Sequence, residues 1–119
     1  MAASEAREIV VVGLRRAARA VAEVGVHLSD PRDPTRGWCD RVLPGDGVIP
    51  LPEIFGALEA GGFNGWYDLE ILSDNGLFGN DYADSVWKLP PAQIVRKDRD
   101  GFLRARAAAA GIASKPLCK

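Results

Sequence analysis

The chain has 119 residues, of which 47% are hydrophobic and 26% charged. It contains 15 basic and 16 acidic residues, which give a formal net charge of -1. This composition is typical of one soluble globular domain. The balanced charge excludes the broad basic surface of a nucleic-acid or anionic-membrane binder. No apolar stretch is long enough for a signal peptide or a membrane span, so a cytoplasmic protein is expected. Cys39 and Cys118 lack CxxC spacing and are predicted to be free thiols.

The first part of the chain, residues 1–23, is rich in Ala and Arg and is predicted to form an atypical N-terminal helical segment. Within it, residues 9–12 are either a buried strand or the first turns of that helix. Gly25 breaks the helical pattern, and residues 24–28 are predicted to be a buried strand.

The remaining elements alternate between helix and strand. Residues 29–50 are predicted to be a loop fixed by Pro and Gly, and Pro52 begins a helix that ends at Gly61 and Gly62. A second strand covers residues 66–71 and a further irregular stretch follows it. Pro90 and Pro91 open a last helix, whose apolar face is interrupted at Gly101 and which continues into the alanine run 107–110. This order is the α/β alternation.

Polar residues stand at the ends of both predicted strands. His27, the single histidine, ends the first, and Asp68 and Glu70 share one face of the second. Strand ends are where a parallel α/β protein keeps its chemistry. Burying an unpaired carboxylate costs several kcal/mol of folding free energy by order of magnitude. An inward Glu70 therefore needs a partner, and one divalent cation bound by both Glu70 and His27 would provide it. Such a nitrogen and oxygen set suits Mn²⁺, Mg²⁺, Co²⁺ or Zn²⁺.

Each of these residues also has a structural interpretation. His27 is alternatively a strand-end histidine bonded to backbone, and Glu70 an ion-pair partner of an arginine. Trp38 either walls a ligand pocket by stacking or anchors its loop. Asp30 either bonds His27 or caps the loop, and Asp68 either lines the interior or pairs with a neighbouring strand. Three further charged residues of the loop are predicted to be solvated rather than catalytic: Arg32, Asp33 and Arg36.

Three motifs in order resemble the C-terminal part of the xylose isomerase-like barrels. They are VHLSD at 26–30, DRVLPGDG at 40–47 followed by IP, and GWYDLE at 65–70; FGND at 78–81 with SVW at 85–87 is also similar. This sugar phosphate isomerase/epimerase group includes ketose 3-epimerases, hydroxypyruvate isomerase and inosose dehydratase. The resemblance implies an α/β fold, a partial (β/α)8 TIM-barrel-like fold made of its last two to three βα units. It covers 24–105, with residues 106–119 as a tail.

The resemblance also implies a chemistry. His27 and Glu70 match two of the family's metal ligands, and Arg41 matches an arginine that contacts substrate oxygens. The implied reaction is metal-assisted proton transfer on a sugar or sugar phosphate through an enediolate, with Glu70 as the catalytic carboxylate and Arg41 and Trp38 as substrate-binding residues. An inosose dehydratase-type lyase is the close variant.

Two further alternatives concern the class of protein. The family's earlier strands carry two more ligands, a Glu and an Asp, that have no counterpart here. The chain is therefore alternatively a catalytically incomplete fragment, or an interaction module that pairs with another chain or with a second copy of itself. A multi-histidine zinc endonuclease is disfavoured because the chain has one histidine.

Overall fold

The computed structural model of the protein describes residues 25–113. In chain order its elements are β1 (Val26–Leu28), β2 (Asp30–Pro31), β3 (Arg41–Val42), α1 (Leu51–Ala60), β4 (Tyr67–Leu69), a 3₁₀ turn (Val86–Lys88) and α2 (Pro91–Ala113). Strand β1 pairs with β4, and β2 pairs antiparallel with β3. The predictions for residues 1–23 and for Cys118 lie outside the described residues.

The predicted fold class is wrong. Residues 25–113 form two helices and a few strands of two or three residues, in two sheets of two strands each. This is too small and sparse for the last βα units of a TIM barrel. The predicted strands at 24–28 and 66–71 shorten to three residues each. The stretch 29–50 forms a small antiparallel sheet and tight turns, where a barrel repeat would place a helix.

The described residues fall into two compact units. The first contains 25–26, 50–67 and 106–113, and the second contains 27–49 and 68–105. In the first unit, Leu58 and Phe63 form a small core against Val26, Ile54 and Tyr67. The rings of Phe63 and Tyr67 meet edge to face at 5.1 Å, the arrangement that aromatic pairs prefer. Helix α1 therefore buries an apolar face as its sequence predicts.

The second unit has its own core and a close helix contact. Leu43, Val86 and Ile94 are buried together. The helix continues through Gly101 into the alanine run, as predicted, and α2 runs from Pro91 to Ala113. A Cβ at Gly101 would lie 2.2 Å from the carbonyl oxygen of Pro44. Glycine is thus present at this position because the backbone of the Pro44 turn approaches the helix.

The Pro-Gly-Asp-Gly turn of the second unit is built around a buried carboxylate. Asp30 accepts backbone N–H groups from Gly45, Gly47 and Ile49 at 2.9, 3.1 and 3.1 Å. Of the two alternatives for Asp30, the structure shows that it caps the loop. A Cβ at Gly47 would lie 2.1 Å from Oδ1 of Asp30, so part of the motif is explained by packing around this side chain.

A second buried carboxylate, Asp40, is held by arginines. Arg36 donates from its backbone N–H and from Nε, both at 2.9 Å, and from Nη2 at 2.7 Å. Nε of Arg32 lies 2.9 Å from Oδ1 of Asp40 as an ion pair, although its N–H is not aligned for a hydrogen bond. Both arginines also contact Asp84. The prediction that Arg32 and Arg36 are merely solvated is therefore wrong, because they bridge two loops.

These contacts with arginines shift the pKa values of the carboxyl groups. The hydrogen bonds from Arg36, opposed by burial, lower the pKa of Asp40 to about 2. The same guanidinium lowers the pKa of Asp84. A third buried carboxylate, Asp74, accepts backbone N–H groups from the turn that follows it. Burial alone would raise the pKa of Asp74, but these bonds produce a net lowering.

Within residues 25–113, neither helix is both long and apolar enough to cross a membrane.

Candidate functional site

The imidazole of His27 lies between two carboxylates of the second unit. Nε2 of His27 is 3.6 Å from Oδ2 of Asp68, and Nδ1 is 3.8 Å from Oε2 of Glu70. The side chains of His27, Asp68 and Glu70 are 68%, 65% and 53% exposed. The site is therefore an open surface group, in contrast to the inward orientation that the sequence predicts.

Two strands position this group. His27 is the central residue of β1, Asp68 is the central residue of β4, and Glu70 follows β4 directly. The backbone N–H of Glu70 donates to the carbonyl of Leu28 at 2.8 Å, which holds the two chain segments together at this point. Residues two apart on an extended segment share a face, so both carboxylates are presented to the same imidazole.

The group is loosely held. Both nitrogen–oxygen distances exceed the roughly 3.2 Å upper limit of ordinary N–H···O hydrogen bonds. Exposed ion pairs contribute about 0–1 kcal/mol to stability. The described contacts of Glu70 are with His27 rather than with an arginine. Stability alone thus gives little reason for placing an imidazole and two carboxylates together here.

The pair of His27 and Glu70 fits one side of a divalent metal site. Two bonds of about 2.0–2.2 Å to a shared ion place its ligand atoms at most about 4.3 Å apart, when they lie on opposite sides of the ion. The observed separation of 3.8 Å is within that reach, and a smaller separation is needed for tetrahedral or octahedral neighbours. Asp68 faces the opposite ring nitrogen and so does not point at the same position. Within residues 25–113, no group of three or more His, Cys, Asp or Glu side chains is arranged to hold a metal ion. Two ligands are therefore what this part of the chain offers.

Arg41, the predicted substrate-binding residue, lies in β3. Its backbone N–H donates to the carbonyl of Leu72 at 2.9 Å. Its Nε is buried and makes no hydrogen bond with any of the described residues. The structure thus leaves a guanidinium donor of Arg41 unsatisfied, and a substrate contact by this residue stays a prediction.

Trp38, the other predicted substrate-binding residue, is 63% exposed and meets the ring of Phe78 edge to face at 5.4 Å. This contact anchors Trp38 while leaving most of its surface available, so both interpretations of the residue stay open.

Phe78 also lines an open groove of about 340 Å³, together with Cys39, Ile71, Leu72, Ser73, Asn75, Leu77 and Trp87. Cys39 is a buried free thiol, as predicted, and burial raises its pKa.

The sequence predicts the approach of His27 to Glu70 but not the role of Asp68. Its two alternatives for Asp68 were an interior position and a partner on a neighbouring strand, and the structure shows the second, with His27 as the partner. The available signal is the i, i+2 spacing of Asp68 and Glu70, which requires that a residue facing one carboxylate also lies near the other.

Comparisons with known proteins give one structural similarity. No protein-family model matches the chain, and no curated protein matches it. The crystal structure of protein SMc04130 from Sinorhizobium meliloti 1021 is similar, with 30% sequence identity and a TM-score of 0.65 over 81% of this chain. The chain spans about a third of that protein, covering 32% of its length. The name of that protein states no activity, so the similarity concerns the fold.

Proposed function

We propose that this chain carries part of a metal-assisted proton-transfer site for a sugar or sugar phosphate, of the isomerase or epimerase type. The observation that supports it is the 3.8 Å approach of Nδ1 of His27 to Oε2 of Glu70 on an exposed surface. The resemblance to xylose isomerase-like proteins assigns metal binding to the same two residues. The nearly balanced charge of the chain favours a small-molecule substrate over nucleic acid or an anionic membrane, and a cytoplasmic location is part of the proposal.

Each site residue has a stated role. A bound Mn²⁺, Mg²⁺, Co²⁺ or Zn²⁺ would polarise two substrate oxygens and acidify the C–H bond between them. The Glu70 carboxylate takes that proton while the C–H electron pair moves into the double bond of an enediolate. In an isomerase it then returns the proton to the neighbouring carbon, while the hydroxyl proton passes from one substrate oxygen to the other through water. In an epimerase, water or another acid on the opposite face would protonate the same carbon, and Glu70 would release its proton to solvent. Elimination of water from the same kind of enolate would make the protein a dehydratase.

The two substrate-binding residues act away from the reacting carbon. The Arg41 guanidinium binds a terminal oxygen or phosphate of the substrate, since a guanidinium makes paired, charge-assisted hydrogen bonds to such groups. Trp38 contributes an exposed aromatic face for the sugar ring.

Metal binding is the first test, by isothermal titration of the protein with Mn²⁺. We expect weak, saturable binding, because the described residues supply two ligands, and we expect its loss in His27→Ala and Glu70→Gln. Asp46→Asn is the matched control, since Asp46 is an exposed carboxylate of the same unit. Equal binding by wild type and His27→Ala, or none by either, contradicts the metal role.

Proton transfer is the second test. In D₂O with Mn²⁺, an active protein incorporates deuterium at the carbon next to the carbonyl of a ketose or ketose phosphate, which NMR of the sugar detects. We expect incorporation with wild type and with Asp46→Asn, and none with Glu70→Gln. Incorporation that is unchanged in Glu70→Gln contradicts the assignment of the base.

A second candidate function is an interaction module that pairs with another chain. Five large apolar side chains are exposed on or beside the groove described above: Trp38, Leu72, Leu77, Phe78 and Trp87. Exposed apolar patches mark interaction sites more often than isolated exposed residues do. A complementing chain would cover this surface and supply the further ligands that two-residue coordination needs.

Sedimentation velocity separates the two candidates. An interaction module sediments as a concentration-dependent oligomer or complex, and Leu77→Ser with Phe78→Ser shifts it to monomer. A monomer at all concentrations that also melts cooperatively contradicts the module.

A further inference from the structure

Asp68 stands on the side of His27 that the proposed metal site does not use. Its Oδ2 is 3.6 Å from Nε2, whereas Glu70 approaches Nδ1. The imidazole thus has a carboxylate beside each ring nitrogen. Both carboxylates belong to one segment and to the second unit, so their spacing is fixed by a single extended stretch of backbone.

The chemistry of a neutral imidazole makes these two positions unequal. One ring nitrogen carries the proton and donates, while the other carries the lone pair and can bind a cation. A hydrogen bond that one ring nitrogen donates holds the proton there, and the lone pair is then on the other nitrogen. Metal-binding histidines almost always donate their second N–H to a carboxylate, a carbonyl or water, and that partner fixes the orientation of the ring.

We infer that Asp68 is a positioning residue, whose carboxylate accepts the Nε2–H of His27 and keeps the Nδ1 lone pair directed toward the space beside Glu70. The identity of the bound ion rests on the proposed function, but the position of the proton does not. The 3.6 Å separation is longer than a hydrogen bond. Both side chains are more than half exposed, and the inference requires that the Asp68 carboxylate move closer to Nε2 by a change in its side-chain torsions.

The opposite assignment is inconsistent with the ligand pair. If Glu70 accepted an Nδ1–H, the proton would occupy the position between Nδ1 and Oε2 where the shared ion has to bind. The lone pair would then face Asp68, and His27 and Glu70 would no longer act as two ligands of one ion. The position of a single proton therefore determines whether the Nδ1 lone pair is already available to a cation beside Glu70.

The protein has one histidine, so long-range ¹H–¹⁵N spectra of ¹⁵N-labelled protein report this imidazole alone. At about pH 9, where imidazole is neutral, we expect wild type to show one tautomer, protonated at Nε2, in the absence of metal. Asp68→Ala shows a mixture of both tautomers. Glu70→Gln, the matched control on the other nitrogen, keeps the Nε2–H form. A wild-type spectrum of the Nδ1–H form, or identical spectra for wild type and Asp68→Ala, overturns the inference.

A metal titration provides the functional readout. Loss of such a partner weakens metal binding by about 10- to 100-fold, so we expect Asp68→Ala to lower Mn²⁺ affinity by that factor. Asp68→Asn restores most of it, because its amide oxygen still accepts the Nε2–H. Equal loss in Asp68→Asn and Asp68→Ala overturns positioning, since it shows that only the charge matters. If the tautomer shifts as expected while no variant binds Mn²⁺, the positioning role stands and the proposed function fails.

Discussion

The second unit contains two kinds of carboxylate. Asp30 and Asp40 are each 1% exposed, and backbone N–H groups or arginines satisfy them at 2.7–3.1 Å. Asp68 and Glu70 are more than half exposed and face one imidazole at 3.6 and 3.8 Å. The buried carboxylates fix loops, and the exposed pair holds nothing in place. This difference is the reason that the binding role is proposed for the exposed pair with His27.

The largest loss of stability is expected when a buried carboxylate is removed, and this tests the difference between buried and exposed carboxylates. Asp30→Ala leaves two backbone N–H groups of the Pro-Gly-Asp-Gly turn, and that of Ile49, without their acceptor. A buried, unsatisfied donor costs about 1–3 kcal/mol, and these three hydrogen bonds are part-buried, so we expect the free energy of unfolding to fall by about 3 kcal/mol, as measured by urea denaturation. Asp46→Ala, at an exposed position of the same turn, changes it by less than about 0.5 kcal/mol. Equal effects of the two substitutions contradict the role of Asp30.

A second prediction tests whether the turn that Asp30 organises must fit against α2. Gly101→Ala places a Cβ 2.2 Å from the Pro44 carbonyl oxygen, which is backbone and cannot rotate away. We expect a loss of about 1–3 kcal/mol in urea denaturation, although alanine favours helix. Gly56→Ala in α1 is the control, since its Cβ meets nothing within 4 Å, and it gains about 0.5–1 kcal/mol. A gain of stability in both variants contradicts the close contact.

The third prediction concerns acid. Because Arg36 lowers the pKa of Asp40 to about 2, the folded protein binds this proton at lower pH than the unfolded chain. The stabilisation by Asp40 is therefore complete above about pH 4 and lost as the pH falls toward about 2. In urea denaturation at a series of pH values, Asp40→Asn flattens the decline across this window.

Asp84 provides the comparison for that experiment. Its pKa is lowered by the same arginine, but its side chain is half exposed, so solvent screens the pairs that it forms. Asp84→Asn should flatten the decline less than Asp40→Asn does. An equal or greater effect of Asp84→Asn shows that burial of Asp40 is not the source of the pH dependence.

The smallest expected effect is at the exposed group. His27→Ala removes the residue that both exposed carboxylates face, yet the imidazole is 68% exposed. We expect the free energy of unfolding to change by less than about 0.5 kcal/mol, measured by the same denaturation. A loss comparable with that of Asp30→Ala would give His27 a structural role and remove the distinction between the two kinds of carboxylate.

The sequence predicts the helices better than the sheets. Pro52 and Gly61 correctly delimit α1, and the second proline of the Pro90–Pro91 pair is the first residue of α2. The strands β2 and β3 have two residues each, which is too short for any period-2 pattern to be detected. The barrel fold was inferred from motif resemblance, and the described residues do not form it.

The candidate site shows the same limits. That His27 and Glu70 lie close together could be predicted because both stand at the ends of apolar runs. The pairing of Asp68 with the second ring nitrogen could not, since it depends on how the two strands align. The residues that donate hydrogen bonds to Asp30 and Asp40 are 4 to 19 positions away from them in the sequence. The residues next to an aspartate do not indicate which distant N–H groups it will accept.

The most direct test of the account is to locate a bound ion. Mn²⁺ broadens the NMR signals of nearby nuclei, so a titration of ¹⁵N-labelled protein shows where the ion binds even when affinity is low. We expect the backbone signals of His27, Asp68 and Glu70 to broaden first in wild type, and this selectivity to vanish in His27→Ala. Broadening centred on Asp46 or Asp100, or an unchanged pattern in His27→Ala, would contradict the assignment of the exposed group as the binding site.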